Sequence, residues 1–349
     1  MTDFIAEDAT DIANTALSTV SNVAKMLETI EGVSSNLDPR TPSSDVLPTG
    51  FQPLDRLLDG GIRQHDLFVV AGRPGVGKTI FTLQMARNLA LGGATVVFAC
   101  YEHHPDALLG RLLALEVGSL NVHEQDKDRV DDQNSSLREL LSGRVHPAAW
   151  SNRLLRAARA RLDEYASRLH FVRATPSATG LDELRHIVNS VRSGSTLLFV
   201  DYLQKVRPAR ESTTHLEHVA QVTAGLKQAS LESAFSVVAV GAISAPGLLR
   251  RRIHLAHLDA AVAVGYDSDV VLLLNDKNSI VSANRMAYTL EQADNLRRRV
   301  VFTVEKNRSG MAPLNVEFVK DFEHFRFDPV GSYVPEQLIE DGEHDDFRS

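Results

Sequence analysis

Residues 67–79 read Leu67-Phe68-Val69-Val70-Ala71-Gly72-Arg73-Pro74-Gly75-Val76-Gly77-Lys78-Thr79, and their reading decides the fold. The opening apolar run predicts a buried strand. It passes directly into a glycine-rich turn that satisfies G-x-x-x-x-G-K-[ST], and TIFTLQMARNLALGG after it reads as a helix. Glycines allow a tight loop whose backbone N–H groups face phosphates, and the helix adds its positive dipole end. In that setting Lys78 neutralises β- and γ-phosphate charge and the Thr79 hydroxyl ligates Mg²⁺. The candidate nucleotide-binding set is Gly72, Arg73, Pro74, Gly75, Val76, Gly77, Lys78 and Thr79.

Outward from this loop, short β-rich runs (TVVFAC, LLFVDY, SVVAVG, DVVLLL, VVFTVEK) alternate with helical stretches such as HPDALLGRLLALE and LEHVAQVTAGLKQASL. Apolar strands separated by amphipathic helices predict an α/β fold with a mostly parallel sheet flanked by helices. Two carboxylates follow from that arrangement. Asp201 ends the strand Leu197-Leu198-Phe199-Val200 and is placed to hold Mg²⁺, since a buried Asp without a cation is costly. Glu102 follows TVVFACY at the same carboxyl edge, and it is the candidate base for activating water. The plainer alternatives are a helix N-cap for Asp201 and a surface position for Glu102.

The chain has 349 residues, 43% hydrophobic and 23% charged, which is globular and neither disordered nor fibrous. With 37 Lys+Arg against 45 Asp+Glu the net charge is −8, so no overall basic character advertises nucleic acid. One cysteine, Cys100, excludes an internal disulfide and a Cys-rich zinc site and fits a reducing compartment. No apolar run is long enough for a membrane span, and the acidic N-terminus is unlike a secretory signal. A cytoplasmic location is expected. Residues 1–31 carry apolar positions at spacings of three and four (Ile5, Ala9, Ile12, Ala16, Val20, Val23, Leu27, Ile30) and predict an amphipathic helix, packed on its own domain or on a neighbour. Residues 32–48 read as a linker, 49–333 as the main domain, and 334–349 as an acidic, disordered tail.

These residues, in this order, resemble the C-terminal ATPase domain of the DnaB family of replicative DNA helicases, a RecA-like fold. The resemblance covers roughly residues 14–330. It rests on PTGFQPLDRLLDGG ahead of the phosphate loop, GRPGVGKT, Glu102, Asp201-Tyr202-Leu203-Gln204, AAWSNRLLRAARARL, YDSDVVLLL and Glu305-Lys306-Asn307-Arg308-Ser309-Gly310. It implies ATP and Mg²⁺ as cofactors, a homo-oligomeric and hexameric ring with ATP between neighbours, and translocation on single-stranded DNA. Lys306 and Arg308 would then reach the neighbour's γ-phosphate, stabilising transferring charge only once the partner docks. The N-terminal helix becomes an inter-subunit arm.

Departures from the family pattern qualify this. The helical collar that engages primase has no counterpart in the sequence, which argues against primase recruitment in the usual way. Ala242 stands where the family places a γ-phosphate-sensing glutamine. In the stretch aligned with the DNA-contacting loop, Asp259 and Ala260 replace an Arg-Glu pair, and a carboxylate there repels phosphates. Arg250, Arg251 and Arg252 just upstream are candidate DNA contacts, or a solvated loop charge; Arg297-Arg298-Arg299 is a second such run. His215 and His218 lie one helical turn apart without a third ligand in register. The leading expectation is an ATP-dependent DNA helicase or translocase. The alternative is an ATP-gated ring or regulator that binds a protein partner without unwinding DNA, and a recombination ATPase fits the DYLQ and EKNRSG runs less well.

Overall fold

The computed structural model describes residues 46–121, 153–281 and 290–339, all within one unit. Its strands are β1 (Val46–Leu47), β2 (Ile62–Arg63), β3 (Leu67–Gly72), β4 (Thr95–Cys100), β5 (Leu169–Arg173), β6 (Thr196–Asp201), β7 (Ser236–Gly241), β8 (Val270–Asp276), β9 (Arg299–Asn307), β10 (Leu314–Asp321), β11 (Arg326–Phe327) and β12 (Ser332–Tyr333). The main helices are α1 (Lys78–Leu91), α2 (Pro105–Asn121), α3 (Arg153–Asp163), α4 (Leu181–Val191), α5 (His215–Ser233), α6 (Ala261–Asp267) and α7 (Leu290–Arg297).

Among the described residues, β3 to β12 form one sheet in the order β11-β10-β9-β8-β3-β7-β6-β4-β5, with β12 on β10. The run from β8 to β5 is parallel, and β9 to β12 add antiparallel pairs at one side. VVFTVEK is therefore an antiparallel member, beside the parallel strands it resembles in composition. Strand β3 shows why both faces must be covered: Phe68 and Val70 join a core built with α1, α2 and α3, while Leu67, Val69 and Ala71 join one built with α4, α5 and α6. Alternation of side chains sends successive residues to opposite faces, so a strand buried on both reads as continuously apolar.

Helix α1 is tied to its surroundings twice. Its Phe81 enters an aromatic cluster with Phe51, Phe302, Phe318 and Phe327, with centroids between 4.7 and 5.5 Å. Its Arg87 forms a bidentate pair with Glu116 of α2 at 2.6 Å, and Tyr165 donates its hydroxyl to the same fully buried carboxylate at 2.9 Å.

Two boundaries differ from expectation. Val46 and Leu47, placed in the linker, pair with Arg63 and Ile62, so the folded unit takes them in. The tail expected from residue 334 packs as far as Leu338, which bridges Val281 and joins a small core with Ile280, Leu296 and Val301. Both ends of the domain also meet: Gln52 N–H donates to the Pro329 carbonyl at 2.8 Å, and Gly331 N–H donates back to the Gln52 carbonyl at 2.5 Å. The expected N-terminal helix, the polar segment after residue 121 and Trp150 lie outside the described residues. Among the described residues no helix is long and apolar enough to cross a membrane.

Candidate functional site

The carboxyl ends of β3, β4, β6 and β7 converge because neighbouring parallel strands stay in register: Cys100 lies beside Asp201, and Ala71 beside Gly241. Strand ends that point the same way deliver the residues after them to one crevice. There they line a cavity of about 450 Å³ with the phosphate loop on one wall and Glu102, Asp201 and Ala242 around it.

The loop turns on glycine. Gly77, the residue before α1, has φ 104°, and a Cβ there would lie 2.7 Å from ring carbons of both Phe322 and Phe327. Backbone conformation and space thus both demand glycine. Lys78 donates from Nζ to the carbonyls of Gly72 (2.8 Å) and Arg73 (3.0 Å). Burial lowers the pKa of its ammonium, and the carboxylates of Asp201 and Glu102 oppose the shift. Arg73 donates to the Leu248 carbonyl at 2.9 Å, which ties the loop to the segment after β7.

Thr79 donates its hydroxyl to Asp201 Oδ2 at 2.8 Å. Asp201 is 1% exposed. Its pKa is pushed up to about 6, chiefly by burial and further by Glu102, while the Thr79 hydroxyl, Lys78 and Arg111 pull the other way. Hydroxyl and carboxylate oxygens suit a hard cation such as Mg²⁺, which takes few protein ligands and completes its shell with phosphates and water. Among the described residues no cluster of three or more His, Cys, Asp or Glu side chains could hold a metal by itself, so a cation here would share its shell with the nucleotide. A bound divalent cation would also offset the charge that burial disfavours on Asp201.

Arg111, Phe322 and Phe325 escaped the sequence reading. Arg111 on α2 faces the carboxylates of Asp201 and Glu102, and its guanidinium lies 5.2 Å over the Phe325 ring. It is the one cation in the apolar run LLGRLLALE, on the helix that opens just after Glu102; that was the available signal. Phe322 and Phe325 roof the cavity from the turn between β10 and β11, more than two hundred residues along the chain from the loop they cover. No local pattern announces such a contact.

Ala242 lines the cavity, and its N–H donates to the carboxamide oxygen of Gln204 at 3.2 Å. Asp259, the carboxylate in the candidate DNA loop, has its Oδ2 3.3 Å from Nε2 of His215. Arg250 and Arg251 are exposed. Arg252 is not: it is 4% exposed and donates to the Ile339 carbonyl and Asn315 Oδ1, both at 3.3 Å, so its charge serves the interior in this fold. In the second arginine run, Arg299 pairs with Glu317 at 2.9 Å and Arg298 with Asp294 at 3.4 Å.

Lys306 and Arg308 lie apart from the cavity. Lys306 is level with Val271 on β8, and Gly72 with Leu274 one strand further. At ~3.3 Å per residue and ~4.8 Å per strand that is on the order of 15 Å. Lys306 Nζ donates to the carbonyls of Gly265 (2.6 Å) and Ser268 (2.5 Å), and Arg308 pairs with Asp269 at 3.1 Å and the Tyr266 carbonyl at 2.9 Å. Burial and the nearby Arg308 charge lower the Lys306 pKa. Neither cation can serve the phosphate loop of its own chain in this conformation.

Comparison with known proteins agrees with this geometry. The family model for the DnaB-like helicase C terminal domain matches residues 46–327. The replicative DNA helicase DnaB of Rickettsia bellii (strain RML369-C) is 28% identical over 307 residues, covering 80% of this chain and 57% of that protein. The DnaB of Geobacillus stearothermophilus is 25% identical over 286 residues, covering 80% and 56%. The chain thus spans little more than half the length of these relatives. Among solved structures, an isolated ATPase domain superposes with a TM-score of 0.63 at 18% identity, covering 90% of this chain and 97% of that one. A DnaB-like replicative helicase studied with primase gives 0.66 at 19% identity, covering 93% and 74%. The fold is RecA-like.

Proposed function

The chain belongs to the DnaB-like helicase C-terminal domain family, and we propose that it is an ATP-hydrolysing motor that assembles as a hexameric ring and moves on single-stranded DNA during replication. The observation that carries this reading is the division of the chemistry between two edges of one sheet. The phosphate loop, Thr79, Asp201 and Glu102 gather at the carboxyl edge, whereas Lys306 and Arg308 lie on the order of 15 Å away on the far side. A complete site then needs the edge of one subunit against the flank of the next.

In that site the loop N–H groups and Lys78 hold the β- and γ-phosphates. Thr79 and Asp201 would hold Mg²⁺, which neutralises charge on the phosphate oxygens. Glu102 orients a water and takes its proton, and Arg111 adds positive charge beside it. Lys306 and Arg308 of a neighbouring copy stabilise the charge that spreads over the transferring oxygens. Exposed Arg250 and Arg251 offer phosphate contacts, and pairing with His215 tempers the repulsion expected from Asp259.

The deciding experiment is ATP hydrolysis by the purified chain with and without single-stranded DNA, beside Lys78→Ala and Glu102→Gln. Stimulation by DNA that both substitutions abolish supports the motor. Nucleotide binding without any DNA response overturns it in favour of an ATP-gated assembly protein.

A further inference from the structure

Strand β9 carries a bulge at one residue. Val304 pairs with Leu272 and Lys306 with Val271, so Glu305 is the extra residue without a ladder partner on β8. Side chains normally alternate along a strand, and a bulge cancels one step, sending two successive side chains the same way. Both go to the segment from 254 to 268. Glu305 Oε1 lies 2.9 Å from His254 Nδ1, and Oε2 accepts from Leu255 N–H at 3.5 Å. Lys306 caps the carbonyls of Gly265 and Ser268 at the other end of the same segment. Between these two attachments lies the loop 254–260, aligned with the DNA-contacting loop of the family, and then α6.

The loop has a third attachment, on its own nucleotide site. Asp259 N–H donates to the Ala242 carbonyl at 3.2 Å, and Ser244 N–H to the His257 carbonyl at 2.9 Å. Ala242 lines the cavity, so the loop spans from the chain's own phosphate site to the strand that bears the interface cations. Glu305 is half-enclosed, with its side chain 13% exposed, and it lies outside the cavity lining.

We propose that Glu305 is a positioning residue that yokes the loop 254–260 to Lys306 and Arg308, so that nucleotide at the neighbouring site is felt by the DNA loop. The inference rests on the motor reading above. When Lys306 and Arg308 leave the carbonyls of α6 for a neighbour's γ-phosphate, β9 shifts, and Glu305 carries the shift to His254 and Leu255. A two-attachment element of this kind has discrete arrangements that both sites can bias, which is what coupling between sites requires. With Ala242 in place of a side chain that could reach the γ-phosphate, this route through the neighbour supplies a signal that the chain's own strand end does not.

The test uses the full chain and two readouts. In ATP hydrolysis with and without oligo(dT), Glu305→Ala keeps the DNA-free rate and the KM for ATP within about twofold and loses about tenfold of the stimulation. Glu305→Gln, which retains an acceptor for His254, recovers most of it. His254→Ala removes the same contact from the other side and gives the same loss, and the double variant is no worse than either. Hydrogen–deuterium exchange of residues 254–260 on adding Mg²⁺ and a non-hydrolysable ATP analogue changes in the wild type and not in Glu305→Ala. Losses that multiply in the double variant, or an identical exchange response in Glu305→Ala and wild type, overturn the yoke. A wild type that DNA does not stimulate overturns the motor reading instead, and the exchange readout still decides the yoke.

Discussion

Asp201 stands 1% exposed at a strand end, with its carboxyl pushed up to about 6 from an ordinary 3.8. A raised folded-state pKa means that the native fold prefers the protonated form. The stabilisation is complete below pH 3.8 and is lost as pH rises through about 6. Two pKa units correspond to about 3 kcal/mol. Asp201→Asn removes this titration, so in thermal melts without nucleotide it raises Tm at pH 7.5, has little effect at pH 4, and stops hydrolysis. A lower Tm at pH 7.5 would show that the carboxylate stabilises the fold. Glu102→Gln behaves differently: nucleotide affinity is retained while kcat falls by about 10²–10⁴, as single-turnover rates beside equilibrium binding will show. Lys78, Thr79, Glu102 and Asp201 were readable because each lies within a residue or two of its own strand end or helix start. Arg111, Phe322 and Phe325 enter the cavity only through tertiary packing, and nothing near them in the chain marks a phosphate site.

Helix α1 holds Lys78 and Thr79 at its start, and its placement depends on α2. Arg87→Met strands the fully buried Glu116 carboxylate with the Tyr165 hydroxyl in place of a charged partner. Breaking one side of a buried pair costs about 3–5 kcal/mol, so urea unfolding moves to a lower midpoint and nucleotide affinity falls with it. Gly77→Ala acts on the loop itself: φ 104° and two aromatic rings at 2.7 Å leave no room, and isothermal titration will find ATP binding lost. The parallel strands were legible because burial on both faces makes them continuous apolar runs. Strand β5 was missed because Leu169–Phe171 are only half-buried at the end of the sheet, and β10 because Asn315, Glu317 and Lys320 interrupt its apolar pattern. The antiparallel direction of β9 could not be read, since composition reports burial and carries no strand direction.

Assembly governs the remaining chemistry. Subunits carrying Arg308→Ala and subunits carrying Lys78→Ala are each expected to be inactive alone, because one lacks the cation supplied to a neighbour and the other its own phosphate lysine. Mixed in equal amounts, they place an intact loop beside an intact Arg308 at some junctions, and ATP hydrolysis returns in part. Mixtures as inactive as either parent would place Arg308 outside the neighbour's site. A different property follows from the hydrogen bonds between Gln52 and residues 329 and 331. They bring the first and last turns of the domain side by side, so the order of the chain can be changed without changing its neighbours. Joining these ends through a short linker and opening new termini at a surface loop, such as Gly92–Gly93, gives a circular permutant that keeps the same sheet.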